Sequence, residues 1–186
     1  MRFNHLAIVY SFFILFSSSL LADAINFNLN DRAFFVEYSH LPDESNAVFS
    51  GSLLHHADNG DLISARFHIE QNLYDVNKNI IAGIGAKAVA IDANGFDGGA
   101  LALSAYLKYK IPQNNKLSIA SAFDYAPEVV SFIDLEGFFK AEFTIKYQLI
   151  DHASAYIGAR SVRLDATANN KSTFESGAFF GISIDI

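Results

Sequence analysis

The chain has 186 residues, of which 51% are hydrophobic and 18% charged, and its net charge is −7. The length predicts one domain, and the composition is too apolar for a disordered chain. Cysteine is absent, which excludes disulfides, thiolate metal sites and a cysteine nucleophile, and the negative charge disfavours nucleic acid as a partner.

The first predicted element is a secretory signal peptide over residues 1–24. Arg2 precedes an apolar run at residues 6–16, and Ala22 and Ala24 fit the small-residue pattern of a cleavage site. The run is short for a membrane-spanning helix, so an uncleaved anchor is the weaker alternative. We therefore predict cleavage after Ala24.

Strand-like segments follow, in which apolar and polar residues alternate with the period of two that is typical of β-strands. Ile25–Asn30 also alternates and gives a tenth strand if it pairs across a turn near Asp31; eight strands remain if the first segment does not span. The nine main segments are predicted near residues 33–40, 47–57, 62–73, 79–92, 99–111, 116–126, 136–149, 152–164 and 175–186.

The segment FFKAEFTIKYQL, residues 138–149, separates its two faces most completely. One face carries Ala141, Phe143, Ile145, Tyr147 and Leu149, and the other carries Lys140, Glu142, Thr144, Lys146 and Gln148. A helix would spread the charges around its surface, so the pattern indicates a strand with one face in an apolar environment. That environment is either a protein core or lipid.

Two features favour lipid. The polar faces carry small residues such as Gly85 and Ala102, which suit a narrow, filled lumen better than a solvated surface. Aromatic residues such as Tyr109, Tyr125 and Tyr147 lie near strand ends, as in the girdles of membrane barrels. A soluble secreted barrel remains the alternative.

The connections after residue 73 are predicted to alternate between short and long. The longer ones lie at residues 93–98, 127–134 and 166–173. Barrels of the outer membrane have short periplasmic turns and longer external loops, so we expect these three segments to be external.

Three features of the C-terminal half occur together: Tyr125-Ala126-Pro127, the pair Gly158 and Arg160, and a last strand that ends in Ile186. With them the chain resembles the YfaZ-type family of small outer-membrane proteins. The resemblance implies a barrel and a compartment, but no activity. The last strand has the spacing of the signal that barrels present to their assembly machinery, with Ile186 in place of the usual terminal aromatic residue.

Charged residues of both signs share the polar strand faces, and we predict that they form a polar network in the lumen. The network is either a structural set of ion pairs that fills the lumen or a narrow pathway for ions and small solutes. Its predicted members are Glu37, Arg66, His68, Glu70, Lys87, Lys108, Lys110, Asp124, Lys140, Glu142, Lys146, Arg160 and Asp185.

We predict no catalytic, cofactor or metal site. A Ser-His-acid hydrolase would need these groups to converge, and the sequence has no nucleophile motif such as G-x-S-x-G. The Asp92–Asp97 loop lacks the full calcium-loop pattern. The candidate hydrolase residues are Ser50, Ser52, Ser64, His55, His56, His68 and Glu70.

The sequence therefore predicts an all-β fold: an antiparallel up-and-down transmembrane β-barrel of 8 to 10 strands over residues 25–186, in the outer membrane of a Gram-negative cell. Its expected role is structural or that of a narrow, porin-like channel, and the alternative is a barrel enzyme that acts on lipid. The expected partners are outer-membrane lipid, lipopolysaccharide and the barrel assembly machinery, and the chain is expected to be a monomer.

Overall fold

The computed structural model describes residues 22–42, 45–74, 76–93, 95–166 and 170–186. The predicted signal peptide therefore lies almost entirely outside the described residues. The strands are β1 (Ala22–Leu29), β2 (Ala33–Leu41), β3 (Ala47–His56), β4 (Gly60–Asn72), β5 (Ile80–Ala93), β6 (Phe96–Lys110), β7 (Leu117–Ala126), β8 (Ser131–Ile133), β9 (Leu135–Ile150), β10 (Ala153–Ala166) and β11 (Asn170–Asp185). A short 3-10 helix, Glu128–Val130, separates β7 from β8.

The strands form one closed antiparallel sheet. Strands that follow each other in the chain pair, except that β8 pairs with β6 and β7 pairs with β9. β1 closes the barrel by pairing with both β2 and β11, with Ile25 opposite Tyr38 and Ile184. β8 pairs with β6 just beyond the part of β6 that pairs with β7. β7 and β8 together therefore cross the wall once. Ten passes therefore make the wall, which confirms the ten-strand alternative and excludes the eight-strand one.

The two faces of the wall differ as the alternation predicts. On β6, Leu101 and Leu103 point outward and are 52% and 63% exposed, whereas Ala102 and Ser104 point inward and are 2% and 1% exposed. The outer face carries a belt of large apolar side chains on every side of the barrel, among them Phe67, Ile84, Phe123, Phe143, Ile157, Phe180 and Ile182. In the described part of the chain, no helix is long and apolar enough to cross a membrane.

The two ends of the barrel are named here by the chain termini. Ala22 and Asp185 lie at the termini end, together with the connections at 111–116 and 151–152 and the strand ends at Leu41, Ala47, Asn72 and Ile80. The connections at 30–32, 57–59 and 127–134 lie at the far end, together with the strand ends at Ala93, Phe96, Ala166 and Asn170.

The predicted alternation of short and long connections is wrong. β5 continues to Ala93 and β6 begins at Phe96, and β10 and β11 pair as far as Ala166 and Asn170. Asp and Gly residues suggested loops, but an antiparallel ladder can continue through them, and Gly95 closes its hairpin with a φ of 105°. Of the three predicted loops, the 127–134 segment connects two strands, whereas most described residues of the other two belong to strands.

The hydrophobic core fills the inside of the far end. Inward-facing side chains from all around the wall meet there, and Leu54, Val162, Leu164 and Phe174 are at most 2% exposed. We call this group the apolar cluster; it comprises Ala33, Phe35, Leu54, Leu62, Val89, Ile91, Ala100, Ala102, Ala126, Leu135, Phe138, Val162, Leu164 and Phe174. The lumen is therefore not polar throughout, contrary to the simplest interpretation of the alternating faces.

Candidate functional site: the charged lumen

Arg160 is the centre of the charged layer below the apolar cluster. Its side chain is 1% exposed, and its Nε lies 3.4 Å from Glu142 Oε2 and 3.3 Å from Glu175 Oε2. Nη2 donates a hydrogen bond of 2.5 Å to Asn28 Oδ1. The guanidinium carbon lies 4.6 Å and 4.7 Å from the ring centroids of Phe35 and Phe179, so two aromatic faces hold the cation.

Two glycines leave room for aromatic rings inside the wall. A Cβ at Gly158 would lie 2.6 Å from Cζ of Phe179, and a Cβ at Gly181 would lie 2.6 Å from Cζ of Tyr156. The Phe179 ring stacks on Arg160, and Tyr156 Oη accepts a hydrogen bond of 3.2 Å from Asn28. The predicted pair Gly158 and Arg160 is thus explained by packing, because the glycine admits the ring that holds the arginine.

Further ion pairs surround this centre. Lys87 Nζ lies 2.7 Å from Asp124 Oδ2, and both side chains are at most 2% exposed. Ser104 Oγ donates a second hydrogen bond of 2.6 Å to the same carboxylate. Arg66 is paired with Glu37 at 2.6 Å. These charges are compensated in place, as buried charges must be if the fold is to tolerate them.

A cavity of about 120 Å³ lies on the termini-end side of the charged layer. We call it the chamber. Its lining is polar and hydroxyl-rich, with four basic and two acidic side chains. The lining comprises Asn26, Asn28, Phe35, Glu37, Arg66, Tyr106, Lys108, Ser118, Ala120, Ala122, Lys140, Glu142, Thr144, Lys146 and Tyr156.

The structure places most members of the predicted network inside the barrel. Lys110 and Asp185 differ, because both are exposed at the rim of the termini end. The side chains inside are those of Glu37, Arg66, His68, Glu70, Lys87, Lys108, Asp124, Lys140, Glu142, Lys146 and Arg160; His68 Nε2 lies 2.9 Å from Glu70.

Sequence reasoning missed three members of the layer: Asn28, Asn30 and Glu175. Asn30 Nδ2 donates a hydrogen bond of 2.9 Å to Glu175, whose second oxygen faces Arg160. The pairing of β10 with β11 skips Phe174, so this β-bulge turns both Phe174 and Glu175 inward. Strict alternation cannot find such a pair, whereas Asn28 does lie on the polar face of β1.

The candidate hydrolase residues do not converge in the described residues. His55 pairs with Asp61 at 2.7 Å and is half-exposed, whereas Ser52 and Ser64 bond to each other at 2.7 Å inside the barrel. Ser50 accepts a hydrogen bond from Arg66. Within the same residues, no group of three or more His, Asp or Glu side chains is placed to hold a metal ion.

Comparison with known proteins identifies the family. The family described as YfaZ precursor matches residues 1–186, the whole chain. The chain belongs to the YfaZ family. A search of the curated proteins finds no match for this YfaZ protein.

Solved structures similar to the YfaZ barrel include porins. The KdgM porin is 8% identical with a TM-score of 0.50, and the match covers 89% of this chain and 99% of that one. The KdgM porin in complex with disordered oligogalacturonate gives a TM-score of 0.51 at 8% identity over 89% and 99% of the two chains. The NanC porin is 12% identical with a TM-score of 0.48, over 90% and 100%. At these identities the likeness to KdgM shows the fold: the YfaZ chain is a β-barrel with the architecture of a porin.

Proposed function

We propose that this YfaZ protein is an integral outer-membrane barrel with a narrow, porin-like pathway that the present conformation holds closed. The observation that carries the proposal is the chamber: a charged, hydroxyl-lined cavity inside a closed barrel whose outer face is apolar. A barrel that served only as a rigid anchor could fill this space with apolar side chains, as the same wall does at its far end.

Closure comes from the apolar cluster and the layer of ion pairs beneath it. Phe138 and Phe174 are 2% and 1% exposed and occupy the far end of the lumen. Ions do not cross a dry apolar constriction, because each would lose its hydration without a replacement partner. Conduction therefore requires these side chains to move apart.

Planar-bilayer recording of the purified barrel tests the proposal. The unaltered chain should stay closed except for rare openings of small conductance. The Phe138→Ala, Phe174→Ala double variant should show frequent discrete conductance steps. Ile157→Ala and Phe180→Ala on the outer face, combined, provide the control and should leave the conductance unchanged. Silence of the cluster variant, with folding intact, would favour the second candidate, a purely structural barrel, for which the buried ion pairs argue.

The location and processing belong to the same proposal. The apolar belt suits a membrane exterior, and cleavage after Ala24 would leave Ile25–Leu29 paired in β1. It would also remove Asp23, which bonds to Tyr38 and His40 in the full chain. N-terminal sequencing of the outer-membrane fraction should return Ile25; a start at Met1 would contradict export with cleavage.

The far end is proposed to be external, with both termini in the periplasm, where β11 would meet the barrel assembly machinery. Outer-membrane lipid then surrounds the belt, and lipopolysaccharide meets the far end, where Arg163 is exposed. A tag inserted at residues 127–134 should be reachable on intact cells, and one at Asn114 should not. We propose a monomer, since one chain closes its own sheet.

No enzymatic activity is proposed. The arrangement that would favour a lipid-acting hydrolase is a Ser-His contact, and the described Ser and His candidates are each engaged elsewhere. A lipid deacylation assay on the refolded barrel should remain at the level of empty vesicles.

A further inference from the structure

Two lysines that reach the chamber have no carboxylate within ion-pair distance in the described part of the chain. Lys140 pairs with Glu142 at 3.1 Å, and Arg66 and Lys87 have their own carboxylates. Lys108 and Lys146 form no ion pair with any residue that the structure describes.

The two lysines lie on either side of β7 and are separated by small side chains. Lys108 on β6 is opposite Ala120, which is opposite Thr144 on β9; Lys146 is opposite Ser118 on the next inward-facing rung. Because Ala120 and Ser118 are short, they leave room inside the wall, and both lysines line the chamber. The wall thus places two cations on adjacent inward-facing rungs of the same chamber.

Lys146 is fixed in this position. Its Nζ donates a hydrogen bond of 3.0 Å to Ser183 Oγ and lies 5.6 Å from the ring centroid of Tyr156. Neither contact neutralises the charge.

The surrounding charges leave an excess of positive charge. Three carboxylates, Glu37, Glu70 and Asp185, also act on the lysines, but all lie beyond ion-pair distance. Glu37 is engaged by Arg66 and Glu70 by His68. Lys110, exposed at the rim, adds a third cation at the entrance. Within the chamber lining, four basic side chains face two acidic ones, both of which already have basic partners. A positive excess inside low-dielectric walls raises the local concentration of anions.

We propose that the chamber is a binding site for a small oxyanion, of the size of phosphate or a short carboxylate, held between Lys108 and Lys146. The anion supplies the negative charge that the wall lacks, and the hydroxyl groups of Ser118 and Thr144 can donate further hydrogen bonds. Because the apolar cluster closes the far end, the anion enters from the termini end. The inference deepens the proposed pathway, which supplies the periplasmic access, but it does not require conduction.

Calorimetric titration of the refolded full-length barrel in micelles with inorganic phosphate tests this site. Lys108→Gln and Lys146→Gln should each weaken phosphate binding about tenfold, and the double variant should abolish it, because each removes a charge-assisted hydrogen bond. Lys116→Gln is the matched control, since it removes the same charge from an exposed turn and should bind phosphate normally. Acetate should compete with phosphate in the unaltered chain. Circular dichroism and heat-modified gel migration confirm that each variant is folded.

The outcomes separate this site from the channel. Phosphate binding in a barrel that never conducts would support the site and overturn the channel. Conduction without phosphate binding would overturn the site and leave the channel intact. Equal weakening by Lys116→Gln and Lys108→Gln would also overturn it, because that result reports the total charge of the chain.

Discussion

The two halves of the lumen are built from the same strands and yet differ completely in chemistry. At the far end, Leu54, Leu164 and Phe174 meet in a dry cluster. Towards the termini end, β3, β10 and β11 contribute Ser50, Arg160 and Ser183 instead. The alternation of a strand decides which residues point inward, but the depth along the barrel decides whether an inward residue is apolar or charged.

This difference shows how a small barrel can be stable although an apolar core fills only part of its lumen. An apolar cluster stabilises the wall by burial, at roughly 25 cal/mol per Å² of apolar surface. The charged half contributes little net stability, because desolvation offsets most of the attraction between its ions. The two halves therefore contribute to the stability of the barrel in different ways.

The largest expected effect comes from breaking the charged half at its centre. Arg160→Ala leaves the carboxylates of Glu142 and Glu175 without their shared cation and should destabilise the barrel by about 3–5 kcal/mol. Arg163→Ala, three residues further and exposed, should change the stability by at most about 0.5 kcal/mol. Reversible urea unfolding in lipid vesicles measures both. Equal effects would remove the distinction between buried and exposed charge.

The apolar cluster is tested by truncation within a single strand. Leu164→Ala on β10 should cost about 2–5 kcal/mol, because the leucine is 1% exposed and its loss leaves a cavity. Ile157→Ala, on the outer face of the same strand and 60% exposed, should cost about 1–2 kcal/mol, because lipid refills the space. The same urea series decides between them, and a penalty at Ile157 as large as that at Leu164 would indicate that the outer face is a protein core.

The outer face can also be tested by adding a charge. Ile145→Arg should cost about 2–4 kcal/mol, since the guanidinium meets lipid near the middle of the belt. Thr144→Arg, on the inner face beside the chamber, should cost less, because the polar lining of the chamber can hydrogen-bond the guanidinium, which lipid cannot do. The two variants are compared by their yield of refolding into vesicles at increasing urea concentration. A lower cost for Ile145→Arg than for Thr144→Arg would mean that Ile145 faces the lumen and Thr144 faces lipid, contrary to the account.

Much of the wall could be predicted from the sequence, because alternation is a local property. On β6 and β9 the polarity of each residue predicts which face of the strand it lies on. The alternation in Ile25–Asn30 also predicts a strand. The length of the far-end hairpins could not be predicted, because turn-forming residues such as Asp97 and Gly98 also fit an antiparallel ladder. Turn-forming residues mark positions where a strand can end, but the actual end also depends on how far the neighbouring strand continues to pair with it.

The site was less predictable for a different reason. Most network members could be predicted because they lie on the polar faces of their strands. Their partners depend on the register between strands that are far apart in the chain, as for Asn28 on β1 and Arg160 on β10. The bulge that turns Glu175 inward breaks the alternation itself. The sequence also could not show that Lys108 and Lys146 lack a carboxylate within ion-pair distance among the described residues, because that depends on distances between side chains on different strands.

The central claim, that the lumen is divided between a polar chamber reached from the termini end and an apolar cluster that closes the far end, is tested most directly by cysteine labelling. The chain has no native cysteine, so single Ala→Cys variants report their own positions. In the barrel refolded into vesicles, Ala120→Cys in the chamber should react readily with a small hydrophilic methanethiosulfonate reagent. Ala102→Cys, which is 2% exposed in the apolar cluster, should react at least a hundred times more slowly, roughly the rate of rare opening of a stable fold. Ala105→Cys on the outer face should react only with a lipid-soluble maleimide. Labelling of Ala102→Cys as fast as that of Ala120→Cys would contradict the account, because it would show an open, water-filled lumen from end to end.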